Sequence, residues 1–172
     1  ISSSSSSTVT STINISNAGA ITDVNIQNLS VTHTWVDDLI ITIESPEGTT
    51  VTLLNRPCDG ENNIYMDLDD EAASGVFPCP PTNGSAYQPN GNLSDFDGEN
   101  MQGNWTMRDQ DTYGPEDGGS FNGWTLEIES ACPVEICDNG LDDDGDGLFD
   151  CDDPECQLTK LFAVETPVGC TG

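Results

Sequence analysis

Between residues 142 and 153 the chain reads Asp142-Asp143-Asp144-Gly145-Asp146-Gly147-Leu148-Phe149-Asp150-Cys151-Asp152-Asp153. With Asp142 as the first position of a twelve-residue loop, carboxylates fall at positions 1, 3, 5, 9 and 12. Gly147 takes position 6, where the backbone must turn sharply, and Leu148 at position 7 offers its main-chain carbonyl. Alternating hard oxygen donors around a tight turn is the donor order of a calcium loop. Asp142, Asp144, Asp146, Leu148, Asp150 and Asp153 are therefore the expected Ca²⁺ ligands, with Phe149 as an apolar anchor. Asp153 is shorter than the Glu usual at the last position, so its contact should be monodentate or water-bridged and the affinity modest. Without a cation the loop is costly, because two carboxylates ~4 Å apart repel by roughly 4 kcal/mol at an effective dielectric of 20.

The whole chain shares this acidity. Of 172 residues 31 are Asp or Glu and three are basic (Arg56, Arg108 and Lys160), giving a formal charge of −28. Such a surface excludes nucleic-acid partners, which need clustered Lys and Arg, and avoids anionic membranes. Solvation and divalent-cation binding both account for the acids. Seven cysteines with one histidine and no CxxC pair point away from zinc and towards disulfides, hence to an oxidising, extracellular or cell-surface setting. The odd count leaves one thiol free or paired with another chain, and the connectivity open. No apolar run approaches a membrane span. The first residue is not Met, which reads as a processed product or a fragment.

The elements that must position these groups read as strands. Val9, Ser11, Ile13 and Ile15 share a face; Val24 and Ile26 alternate, as do Leu39, Ile41 and Ile43, then Val51 and Leu53, Trp105 and Met107, and Trp124, Leu126 and Ile128. Gly-, Asn-, Asp- and Pro-rich turns divide them, and no segment keeps a helical period. An all-β jelly-roll sandwich over residues 8–131 is expected, after a Ser-rich segment 1–7 and before a small cysteine-bearing calcium-loop appendage, 132–172. That appendage is too short to build a core without disulfides or metal. The stretch 58–104 is poor in strand signal, and a Cys58–Cys79 disulfide or bound calcium would staple it.

His33-Thr34-Trp35-Val36-Asp37-Asp38-Leu39, Ser45-Pro46-Glu47-Gly48-Thr49, Leu68-Asp69-Asp70-Glu71, Gly103-Asn104-Trp105-Thr106-Met107-Arg108-Asp109 and Gly118-Gly119-Ser120-Phe121-Asn122-Gly123-Trp124 follow one another in an order that resembles the P domain of proprotein convertases and secreted bacterial proteases. The resemblance covers roughly residues 8–130. It implies a jelly-roll sandwich that is not itself catalytic, that accompanies a subtilisin-like or metalloprotease domain, and that binds calcium in many members. It further implies Asp38, Asp69, Asp70, Asp109, Asp111 and Asp117 as ligands. The acidic loop 142–153 in turn resembles a thrombospondin type 3 calcium repeat.

No nucleophile–base arrangement is present: GxSxG and HExxH are absent, and His33 is expected to be a structural histidine. Trp35, Trp105 and Trp124 are expected to fill the core. The function expected is a non-catalytic, calcium-dependent extracellular structural or interaction module. Its partner would be another protein or further copies of itself, as in a surface fibre or adhesin. The alternatives are a stabilising accessory domain of a secreted protease and, on fold analogy alone, a carbohydrate-binding module.

Overall fold

Strand alternation sets the architecture. The computed structural model describes residues 6–113, 118–130 and 140–141. The chain divides into two units, residues 1–131 and 132–172, and the first is the β-sandwich described below.

Eight strands form two four-stranded sheets. They are β1 (Ser7–Ile15), β2 (Ile21–His33), β3 (Leu39–Glu44), β4 (Thr50–Asn55), β5 (Ile64–Leu68), β6 (Ala86–Tyr87), β7 (Gly103–Asp111) and β8 (Gly119–Ser130). One sheet has the order β1-β7-β3-β4 and the other β6-β5-β2-β8. All pairs are antiparallel except β5–β6. No α-helix occurs among the described residues; two short 3-10 turns lie at Val36–Asp38 and Leu93–Phe96. This is the all-β jelly-roll-type sandwich that the alternation predicts.

Inward-facing residues of both sheets meet in one core. Val24, Ile26, Leu29 and Val31 come from β2, Leu39, Ile41 and Ile43 from β3, and Trp105 and Met107 from β7. Trp105 is fully buried, stands edge-on to Phe96 with ring centroids 5.0 Å apart, and donates its indole N–H to the Met101 carbonyl at 3.0 Å. A buried tryptophan needs a partner for that donor, and the turn before β7 supplies one.

Three expectations change. The stretch 58–104 is not strandless: Ile64, Met66 and Leu68 alternate inward in β5, and Leu93 and Phe96 plug the core from a 3-10 turn. The Cys58–Cys79 disulfide does staple this stretch, across 21 residues. Trp35 lies outside the core, 49% exposed, with its ring against Gly60, where a Cβ would stand 2.7 Å from the indole. Trp124 is only half-buried and donates to the Ser11 hydroxyl at 3.0 Å, tying β8 to β1. Beyond these, β7 continues past Met107, inward-facing through Asp109 to Asp111.

Trp105→Ala is expected to destabilise the sandwich by about 3–5 kcal/mol, since it leaves a void beside Phe96; urea titration monitored by circular dichroism measures it. Replacing both Cys58 and Cys79 by Ser should cost about 2–4 kcal/mol in the same assay, the loop-closure constraint on the unfolded chain being lost.

Candidate functional site

At one end of the sandwich the core turns polar. Period two along β7 places Trp105, Met107, Asp109 and Asp111 on one face. Asp109 stands across from Val9 of β1 and Ile41 of β3, and Asp111 across from Ser7 and Leu39. In the facing sheet, the inward positions of β2 run Leu29, Val31, His33. The three polar groups thus take the last inward positions of two facing strands. They line a pocket of about 200 Å³, walled by Val9, Val31, Leu39 and Phe121.

His33 is buried, as expected for a structural histidine. Its backbone N–H donates to Asn63 Oδ1, and its carbonyl accepts from the Asn63 N–H, both at 3.1 Å. The ring Nδ1 faces the Trp35 main chain, 3.1 Å from the amide N and 2.9 Å from the carbonyl O. Nε2 points to Asp111 Oδ2 at 3.6 Å and has no hydrogen-bond partner. Gly119 pairs with His33, and a Cβ there would lie 1.9 Å from the Thr32 carbonyl and 2.8 Å from the imidazole. Only glycine lets β8 cross so close to the ring.

The two acids differ in solvation. Asp111 Oδ1 accepts from the Tyr113 N–H at 2.8 Å. Asp109 Oδ1 is buried with no hydrogen-bond partner. Burial pushes the Asp109 carboxyl up to about 6; His33 opposes the rise and Asp111 adds to it.

The expected metal ligands of the sandwich are distributed between two places. Asp38 sits at the polar end: its carbonyl accepts from the Thr112 N–H at 2.9 Å and the Thr112 hydroxyl at 2.8 Å, and Arg56 donates to that hydroxyl at 2.7 Å. Asp69 and Asp70 follow the opposite end of β5. Asp69 Oδ1 accepts from the Glu71 N–H at 2.6 Å, and Asp70 Oδ2 accepts from the Ser94 N–H at 2.8 Å. A hydrogen bond with Asp69 holds the exposed Glu71 carboxyl above its ordinary value. Among the described residues, no three His, Cys, Asp or Glu side chains group so as to hold a metal ion. Asp117 and the whole loop set (Asp142, Asp144, Asp146, Leu148, Asp150 and Asp153) lie outside the described residues. Asp109 and Asp111 were expected as site residues from the family resemblance, but their inward position opposite His33 was not, although its signal is in the sequence: the alternation of Trp105 and Met107 continues into Asp109 and Asp111.

A two-sheet sandwich with His33, Asp109 and Asp111 gathered in a strand-end pocket defines a β-sandwich module. The proprotein convertase P-domain family matches residues 21–128, from the start of β2 into the end of β8. The chain belongs to that family. No curated protein matches it. Among solved structures, it is similar to the serine protease of Aeromonas sobria in complex with its chaperone ORF2, at 20% identity and a TM-score of 0.40, covering 76% of this chain and 21% of that one. It is also similar to that serine protease alone, at 17% identity and a TM-score of 0.37, covering 70% of this chain and 20% of that one. The chain therefore spans about a fifth of the length of those proteases.

The raised Asp109 value fixes the sign of a pH effect. The folded state binds a proton more tightly than the unfolded chain, whose carboxyl titrates near 3.8. The contribution is thus fully present below about pH 4, is lost as pH rises to about 6, and is constant above. Asp109→Asn is expected to remove this decline and to gain roughly 1–3 kcal/mol at pH 7 relative to the parent. Unfolding free energies of both proteins between pH 3.5 and 8 on the order of half-unit steps measure it.

Proposed function

We propose that this chain is a non-catalytic, extracellular accessory and interaction module, and that its C-terminal loop binds Ca²⁺ through Asp142, Asp144, Asp146, Leu148, Asp150 and Asp153. The observation that carries the module reading is the family match, which covers seven of the eight strands, β2 through β8. P domains accompany protease domains, so the partner is a secreted protease or another protein carried by the same polypeptide. The Cys58–Cys79 disulfide supports an oxidising compartment. Among the described residues no helix is long and apolar enough to cross a membrane. The calcium reading rests on ligand spacing. Five carboxylates and a carbonyl at fixed offsets supply hard oxygens, and the cation would neutralise their mutual repulsion.

Calorimetric titration of the full chain with CaCl₂ is expected to show saturable binding that weakens at least about tenfold in Asp142→Asn/Asp146→Asn, each carboxylate being a direct ligand. Absence of binding heat, or unchanged binding in the double variant, would sink the calcium assignment. Incubation with casein and chromogenic peptide amides should release no product above buffer; turnover proportional to chain concentration would sink the accessory reading.

A further inference from the structure

The polar pocket has an accounting imbalance that neither the fold nor the calcium loop uses. His33 and Asp109 are each more than nine-tenths buried, both line the pocket, and each carries a polar atom with no hydrogen-bond partner, Nε2 and Oδ1. Asp111 adds a second carboxylate, one oxygen of which is satisfied by Tyr113. His33 Nδ1 is taken up by the Trp35 main chain, and Nε2 faces Asp111 Oδ2 without a hydrogen bond. What the described lining residues do not supply is a donor to Asp109 Oδ1 and a positive charge: Ser7 and Ser120 also line the pocket, but neither meets that oxygen, and none of the described lining residues is Lys or Arg.

Three kinds of cation would meet these oxygens. A calcium ion needs six to eight oxygens, whereas no three metal-binding side chains group here among the described residues. A guanidinium brings five donors in a rigid plane whose fork must match both carboxylates at once. An ammonium is compact, with three donors on a flexible stem. The walls suit that stem: Val31 and Leu39 are buried, and Val9, half-exposed, lies at the mouth. About 200 Å³ accommodates a lysine side chain. Of the chain's three basic side chains, Arg108 pairs with Glu44 at 2.5 Å, Arg56 donates to Thr112, and Lys160 lies outside the described residues.

We propose that this pocket is a recognition site for a lysine side chain of a partner polypeptide, its alkyl stem between Val9, Val31 and Leu39 and its ammonium between Asp109 and Asp111. Every residue that builds this site belongs to the sandwich unit. Long-range attraction from the −28 surface would steer a basic partner towards it, and the two buried acids would select the side chain.

The chain contains one histidine, so its ring resonances in a ¹H–¹³C spectrum report on this pocket alone. The probe is Nα-acetyl-lysine methylamide. A saturable shift of the His33 signals with a millimolar dissociation constant is expected, at least tenfold weaker with the norleucine analogue and with the arginine analogue. The response should be lost in Asp109→Asn and in Asp111→Asn, both first shown to melt cooperatively. No shift with the lysine probe, an equal shift with norleucine, or unchanged binding in both variants overturns the proposal. Equal binding of the arginine analogue overturns the choice of lysine, and CaCl₂ displacing the lysine probe from His33 overturns it in favour of a metal site. Asp142→Asn/Asp146→Asn should leave the titration unchanged, so failure of the calcium reading and failure of this one are told apart.

Discussion

The sandwich rests on one strand carrying two kinds of cargo on one face. Trp105 and Met107 of β7 anchor the apolar core, and the next two inward positions are carboxylates. Period two leaves no alternative: a register slip that exposed Asp109 would also turn Trp105 out to solvent. The hydrophobic gain at one end of the strand therefore holds the acids at the other in a place where they lose hydration. Evolutionary tolerance for such burial usually comes with compensating contacts, and here these are partial. Asp111 has the Tyr113 amide, while Asp109 Oδ1 has none.

The loops around this end are held by backbone bonds rather than by apolar packing. Asn63 exchanges two hydrogen bonds with the His33 main chain, the Glu61 carbonyl accepts from the Val36 N–H at 2.9 Å, and Thr112 ties the end of β7 to Asp38. The connection between β4 and β5 makes its turn with Arg56, Cys58, Asp59 and Asn63 all at positive φ. Such conformations are costly for residues with a Cβ, and the Cys58–Cys79 bond removes much of the freedom the segment would otherwise gain by relaxing. The consequence is a pocket whose walls are strands and whose rim is cross-tied.

Much of this was legible in the sequence. The strands of β1, β3, β4 and β8 announce themselves by β-branched alternation between turn residues, and the disulfide by two cysteines inside a long acidic stretch. What misled was composition. Ile64, Met66 and Leu68 keep strict alternation, but the Asp- and Asn-rich surroundings mask it. Asp109 and Asp111 look like turn formers by residue type, whereas their spacing from Trp105 and Met107 makes them inward-facing. Trp35 looks like core by residue type, yet it lies two residues past the end of β2 and caps a 3-10 turn, so its ring falls on Gly60 outside the sheets. In each case position in the period outweighed the character of the residue. Tertiary grouping was the part that sequence could not supply, since it depends on which ends of two sheets face each other: Asp38, Asp109 and Asp111 share one end, and Asp69 and Asp70 lie past the opposite end of β5.

Charge then separates into two regimes with different physics. Most of the acids are on the surface, where at physiological ionic strength their repulsion is screened beyond a Debye length of about 8 Å. Exposed pairs such as Arg108–Glu44, with side chains 39% and 36% exposed, add little stability for the same reason. Asp109 and Asp111 are buried at the strand ends and are screened less than the surface acids. Added salt should thus relieve the surface more than the Asp109–Asp111 pair. A group that neutralised that pair would have to enter the pocket, so the shape of about 200 Å³, rather than the overall charge of −28, would set which cation fits.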